Sequence, residues 1–129
     1  MGTRSLTFVY DEDNTPIINM YAQYDGYPEG HGRELAEFLT PVKMVNGIVR
    51  GHTNIANGMG CLAAQLVANF KQDAGGFYLY PTDCKDCDQD YEYHIFADKI
   101  MCVKAYDGEV LFEGTWAAFA EFCSEKENA

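Results

Sequence analysis

Two runs near the start of the chain, Ser5 to Tyr10 and Pro16 to Gln23, are rich in β-branched, aromatic and aliphatic side chains and flank the polar turn Asp11-Glu12-Asp13-Asn14. That pattern predicts a β-hairpin. A glycine-studded segment, Asp25-Gly26-Tyr27-Pro28-Glu29-Gly30-His31-Gly32, leads into a short helix in which Leu35, Phe38 and Leu39 form an apolar stripe beside Glu34 and Glu37. A looser stretch from Thr40 to Thr53 carries one short strand, Lys43 to Val45. Then Met59, Leu62, Ala63, Leu66, Val67 and Phe70 recur at i, i+3, i+4, i+7, i+8 and i+11, the spacing of a helix with one face in the core.

Gly75-Gly76 breaks this helix, and Phe77 to Tyr80, Tyr91 to Phe96, Ile100 to Tyr106 and Glu109 to Phe112 read as four strands. The connections Asp98-Lys99 and Asp107-Gly108 are too short for parallel crossovers, so an antiparallel meander is expected, the latter suiting a two-residue hairpin. Thr115 is placed to N-cap a last helix from about Trp116 to Lys126, whose buried stripe is Trp116, Phe119, Ala120 and Cys123. The order is ββααββββα. An α+β fold follows, in which an antiparallel sheet, the N-terminal hairpin plus a C-terminal four-strand meander, is packed on one face by two or three helices. The whole chain, residues 1–129, reads as a single domain.

Charge narrows the functional classes. The formal net charge is −11, which repels a phosphate backbone, so no nucleic-acid partner is expected. No apolar run is long enough to span a bilayer, and the first residues lack a secretory signal, which predicts a soluble, cytoplasmic protein with no membrane partner. Five scattered cysteines read as reduced thiols. The distribution of charge matters more than its sum. Between Phe38 and Gln72 there is no Asp or Glu, while Lys43, Arg50, His52 and Lys71 fall inside that span; from Pro81 onward twelve acids face four lysines. An anionic ligand therefore belongs with the first half, and a basic protein partner with the second.

Several constellations bear on chemistry. The helix starts Gly30-His31-Gly32-Arg33 and Asn57-Gly58-Met59-Gly60 could present N–H groups to a phosphate or carboxylate, with charge from Arg4, His31, Arg33, Arg50 and His52. The ordinary alternative is that these glycines make turns and close packing contacts. Gly58, Gly60 and Ala63 match a dinucleotide-binding spacing, but no βαβ succession surrounds them. Gln23, Tyr24, Asp25 and Tyr27 offer hydrogen bonding and stacking area around a turn. Cys84-Lys85-Asp86-Cys87 is a lone C-x-x-C; a zinc site would have to add His94 and Cys102, and Asp83, Asp86, Asp88 and Asp90 oppose a thiolate. It reads as an acidic loop with two free thiols. No metal or cofactor is expected, and no catalytic motif stands out.

The segments Met1-Gly2-Thr3-Arg4-Ser5-Leu6-Thr7, Tyr24-Asp25-Gly26-Tyr27-Pro28 with Gly30-His31-Gly32, Asn57-Gly58-Met59-Gly60-Cys61-Leu62-Ala63-Ala64-Gln65-Leu66 and Gly75-Gly76-Phe77-Tyr78-Leu79-Tyr80-Pro81 together resemble a family of small uncharacterised bacterial and phage proteins. The resemblance covers most of the chain and implies no particular activity. It does imply an accessory role on mobile DNA, as a ligand-sequestering or partner-blocking protein.

Three functional readings result. The first is a binding module with a pocket between the first hairpin, its glycine-rich turn and the N-terminus of the central helix, taking a small anionic ligand through Arg4, Gln23, Tyr24, Asp25, Tyr27, His31, Arg33, Arg50, Asn57, Gly58 and Gly60. The second is an acidic interaction module or inhibitor that meets a basic protein through its Asp-rich half. The third is an enzyme with His31 as general acid or base near Arg4 and Asp25. A homodimer through a sheet edge or helix face is the oligomer considered.

Overall fold

A computed structural model describes residues 2–45, 47 and 54–127. The elements in chain order are β1 (Ser5–Tyr10), β2 (Pro16–Ala22), a π-helical turn (Pro28–Gly32), α1 (Arg33–Leu39), β3 (Lys43–Val45), β4 (Ile55–Asn57), α2 (Gly58–Phe70), β5 (Phe77–Tyr80), β6 (Tyr91–Ile95), β7 (Ile100–Lys104), β8 (Glu109–Gly114) and α3 (Trp116–Glu127). The α+β class holds, and six of the strands form one mostly antiparallel sheet in the order β5-β2-β1-β6-β7-β8.

The topology differs from a hairpin placed beside a four-strand meander. The hairpin is inserted into the meander: β5 pairs antiparallel with β2, and β1 pairs parallel with β6. Only β6, β7 and β8 run as a meander. The segment from Pro81 to Asp90 is long enough to carry the chain over two strands, which is what permits the parallel pair. Lys104 pairs with Glu109, so the last hairpin closes with four residues, with Gly108 at φ +74°, rather than with Asp107-Gly108 alone. A separate parallel ribbon joins β3 to β4, a strand the sequence pattern did not predict.

Cross-strand register divides the sheet into two faces. On one, Val9, Met20, Tyr93, Ile95, Ile100 and Cys102 meet Leu35, Leu39, Met59, Leu62, Leu66 and Phe119 from the three helices, all of them fully or almost fully buried. This is the main core. Thr115 caps α3, its Oγ1 accepting the Ala118 N–H at 3.1 Å.

On the other face Leu6, Phe8 and Tyr21 form a second buried cluster, covered by a strap made of Pro81 to Asp90. Asn19 anchors the strap, its Nδ2 donating to the carbonyls of Pro81 and Cys84 at 3.1 Å each. Cys87 packs on the cluster and the Lys85 ammonium lies over the Phe8 ring. At the β5 edge, Lys71 Nζ donates to the carbonyls of Gly75 and Phe77, at 3.0 and 2.8 Å, which blunts part of the edge against strand addition.

Candidate functional site

The glycine-rich turn is built by close approach. The Gly26 N–H donates to the Thr3 carbonyl at 2.8 Å, and a Cβ on Gly26 would stand 2.8 Å from the Arg4 carbonyl carbon. Asp25 takes a left-handed conformation, φ +56°, so its carbonyl can accept the His31 N–H at 2.7 Å. Its carboxylate accepts the Tyr27 hydroxyl at 3.3 Å. Gly32 faces Tyr93, whose hydroxyl donates to the Gly26 carbonyl at 2.7 Å. The glycines of this motif are therefore packing points.

His31 is 1 % exposed, with Phe70, Phe77 and Tyr93 around its ring. Its Nε2 lies 3.4 Å from Thr7 Oγ1, while Nδ1 has no hydrogen-bond partner and stands 3.7 Å from the Glu34 carboxylate. Of the expected neighbours, Asp25 meets His31 through its backbone carbonyl. Arg4 turns to the strap, where its N–H donates to the Asp90 carboxylate at 3.2 Å and its carbonyl accepts the Asp90 N–H at 2.9 Å. Its side chain lines a hollow shared with Lys85, Asp86, Asp88, Asp90 and Glu92.

The other helix start is at the far end of the hairpin. Glu12, in the β1–β2 turn, accepts the Met59 N–H at 2.9 Å, so the protein's own carboxylate already occupies the anion position at the start of α2. Arg4 lies beyond the opposite end of β1, a six-residue strand, or roughly 20 Å away. A single hollow joining Arg4, Asp25 and Gly58–Gly60 does not form. Asn57 is engaged with the backbone of Gly47, its Nδ2 donating to that carbonyl at 2.8 Å and its Oδ1 accepting that N–H at 3.1 Å. Gln23 holds the Gly76 carbonyl through its backbone N–H at 2.9 Å; Tyr24 and Arg33 are exposed, on the hairpin exit and at the start of α1. Arg50 and His52 lie outside the described residues.

A different hollow, of about 440 Å3, opens between α1, the end of α2 and β5. Phe38, Phe70 and Phe77 supply its apolar surface, and Glu34, Glu37, Asn69 and Gln72 its polar groups. The His31 imidazole beside Glu34 holds that carboxyl below the usual carboxylate range, against the opposing effect of partial burial. No cationic side chain is among these lining residues, but the charge of neighbouring Arg33 adds to the lowering of Glu34.

A second polar array has no counterpart in the sequence reading. The Tyr10 hydroxyl is 2.6 Å from His94 Nδ1, His94 Nε2 is 3.1 Å from Glu92 Oε1, and Gln89 Nε2 donates to Glu92 Oε2 at 2.9 Å. Glu92 and His94 are two apart on β6 and so share a face, which the sequence does allow. Their meeting with Tyr10 depends on the parallel β1–β6 pairing, for which no local signal exists. Cys84 and Cys87, expected as two free thiols, are paired through their sulfurs where the strap turns onto the sheet. Cys61, Cys102 and Cys123 are free.

Among the described residues, no helix is long and apolar enough to cross a membrane. Comparison with protein-family models, with curated proteins and with solved structures finds no match for this chain.

Proposed function

We propose that the protein is an acidic binding module that receives a basic side chain of a partner protein in the hollow between α1, α2 and β5. The observation that carries this reading is the chemistry of the lining: three Phe side chains and two carboxylates, Glu34 and Glu37, with Arg33 close enough for its charge to act on Glu34. An aromatic surface beside carboxylates attracts a guanidinium or ammonium through both the ring quadrupole and ionic hydrogen bonds. It repels the small anion that the sequence favours. The net charge of −11 would speed encounter with a basic surface and make it salt-dependent. Partner blocking of this kind also suits the accessory role on mobile DNA implied by the resemblance.

The test is titration of a fluorescent Arg- and Lys-rich peptide, read by anisotropy at low and high salt. Binding at low salt should weaken by about tenfold or more in the double variant Glu34→Gln, Glu37→Gln, an amount within the range of two partly exposed charge contacts. Equal affinity in the double variant would remove this hollow from the function.

A further inference from the structure

The face opposite the helices carries a stack of rings that the binding reading does not use. Phe8 stacks on His94 with centroids 5.1 Å apart, and Tyr10 stacks on Phe96 at 4.5 Å. Both Tyr10 and His94 are half-buried. The polarity of the array follows from elementary chemistry. An ionised carboxylate can only accept, so His94 must carry its proton on Nε2, facing Glu92. A neutral imidazole then has a lone pair on Nδ1, and the contact with Tyr10 at 2.6 Å is the phenol donating to it. A hydroxyl hydrogen-bonded to a base, with that base oriented by a carboxylate, is the arrangement of an activated nucleophile. Gln89 in turn fixes the carboxylate.

We propose that Tyr10 is a base-assisted nucleophile, the site at which this protein accepts an acyl group from an uncharged ester. Tyr10 Oη attacks the ester carbonyl carbon while its proton passes to His94 Nδ1. The new Oη–acyl bond forms as the ester C–O bond breaks, and the departing alcohol oxygen takes the proton from His94. Glu92 acts as a positioning residue, holding the imidazole in the one tautomer that can receive the phenolic proton. Two hollows border the array, at Phe96 and at Glu92 with Gln89, and set the charge that a donor meets on approach. One, of about 470 Å3, is lined by Phe96 with Asp11, Glu12, Asp98 and Lys99; the other, by Glu92 and Gln89, is lined by Asp86, Asp88 and Asp90 as well as Arg4 and Lys85. Both carry more carboxylates than cations, so a phosphoryl or other anionic donor is disfavoured.

The experiment treats the folded protein with p-nitrophenyl acetate near neutral pH and maps acetylated tyrosines by mass spectrometry over time. Tyr106, at 93 % exposure and on the rim of the second hollow, meets the same donor without a base beside it and is the internal standard. Tyr10 should acetylate about tenfold or more faster than Tyr106, and His94→Gln should abolish the advantage, since a positioned base is worth at least that much. Nitrogen-15 spectra of the His94 ring should report the Nε2–H tautomer in the wild type and lose that preference in Glu92→Leu. Labelling of Tyr106 at a rate equal to or above that of Tyr10, or an Nδ1–H tautomer in the unmodified protein, would overturn the proposal; neither result depends on a variant folding.

Discussion

At the scale of single residues, Tyr93 shows how one polar atom fixes a neighbourhood. It is fully buried at the centre of the sheet, yet its hydroxyl reaches the Gly26 carbonyl, tying the exit of the first hairpin to β6. Burial pushes its phenol well above the ordinary value, so the group stays neutral and donating. Gly32 leaves room for that ring. A Cβ there would stand 3.0 Å from the Tyr93 hydroxyl and 3.2 Å from its ring carbon Cε1, with Phe119 at 3.4 Å. Gly32→Ala should therefore destabilise by about 1–3 kcal/mol, the usual range for overpacking. Gly60 meets nothing within 4 Å and lies inside α2, so Gly60→Ala should stabilise by about 0.5–1 kcal/mol. Urea denaturation of the pair tests both signs. The sequence marked both glycines as helix-start features of one kind; it could not separate them, because the distinguishing contacts come from Tyr93 and Phe119, far along the chain.

The elements themselves were largely legible, because each has a local cause. The 3.6-residue recurrence from Met59 to Phe70 yields α2 with Met59, Leu62, Ala63 and Leu66 buried, and Thr115 caps α3 as its side chain predicts. The strand runs appear within one or two residues of their expected limits. Pairing was less legible, since nothing in β5 states that its neighbour is β2 rather than β6. The candidate site suffered most from this. Its residues share chemical type around two glycine-bearing helix starts, and the hairpin's length separates them. What fills the anion position at α2 is Glu12, from a turn 47 residues away in sequence. Glu12→Ala should remove that cap and lower stability by about 0.5–2 kcal/mol, measured by chemical denaturation. An unchanged midpoint would mean that water replaces the carboxylate without loss.

Over the whole molecule, acid pH acts through specific pairs as well as through the net charge. The hydrogen bond from His94 holds the Glu92 carboxyl below its ordinary value, burial opposes, and Gln89 adds to the lowering. A carboxyl whose folded pKa is depressed stabilises the fold in full above the unfolded value, about 4.5, and loses that contribution as pH falls through the depressed value. Glu92→Gln should thus melt below the wild type at neutral pH, and the gap should close below about pH 4.5; a gap constant across the acid range would argue that Glu92 contributes only shape. The same neighbourhood explains the fold's dependence on distant pairing, since Tyr10 and His94 meet only because β1 lies between β2 and β6. That placement has a consequence for synthesis. β1 leaves the ribosome well ahead of the partner for its second flank, which begins at Tyr91. Until Tyr91 emerges the nascent hairpin therefore presents a bare row of backbone amides and carbonyls along β1, and a chain halted before Tyr91 keeps it, ready to capture a strand from another molecule.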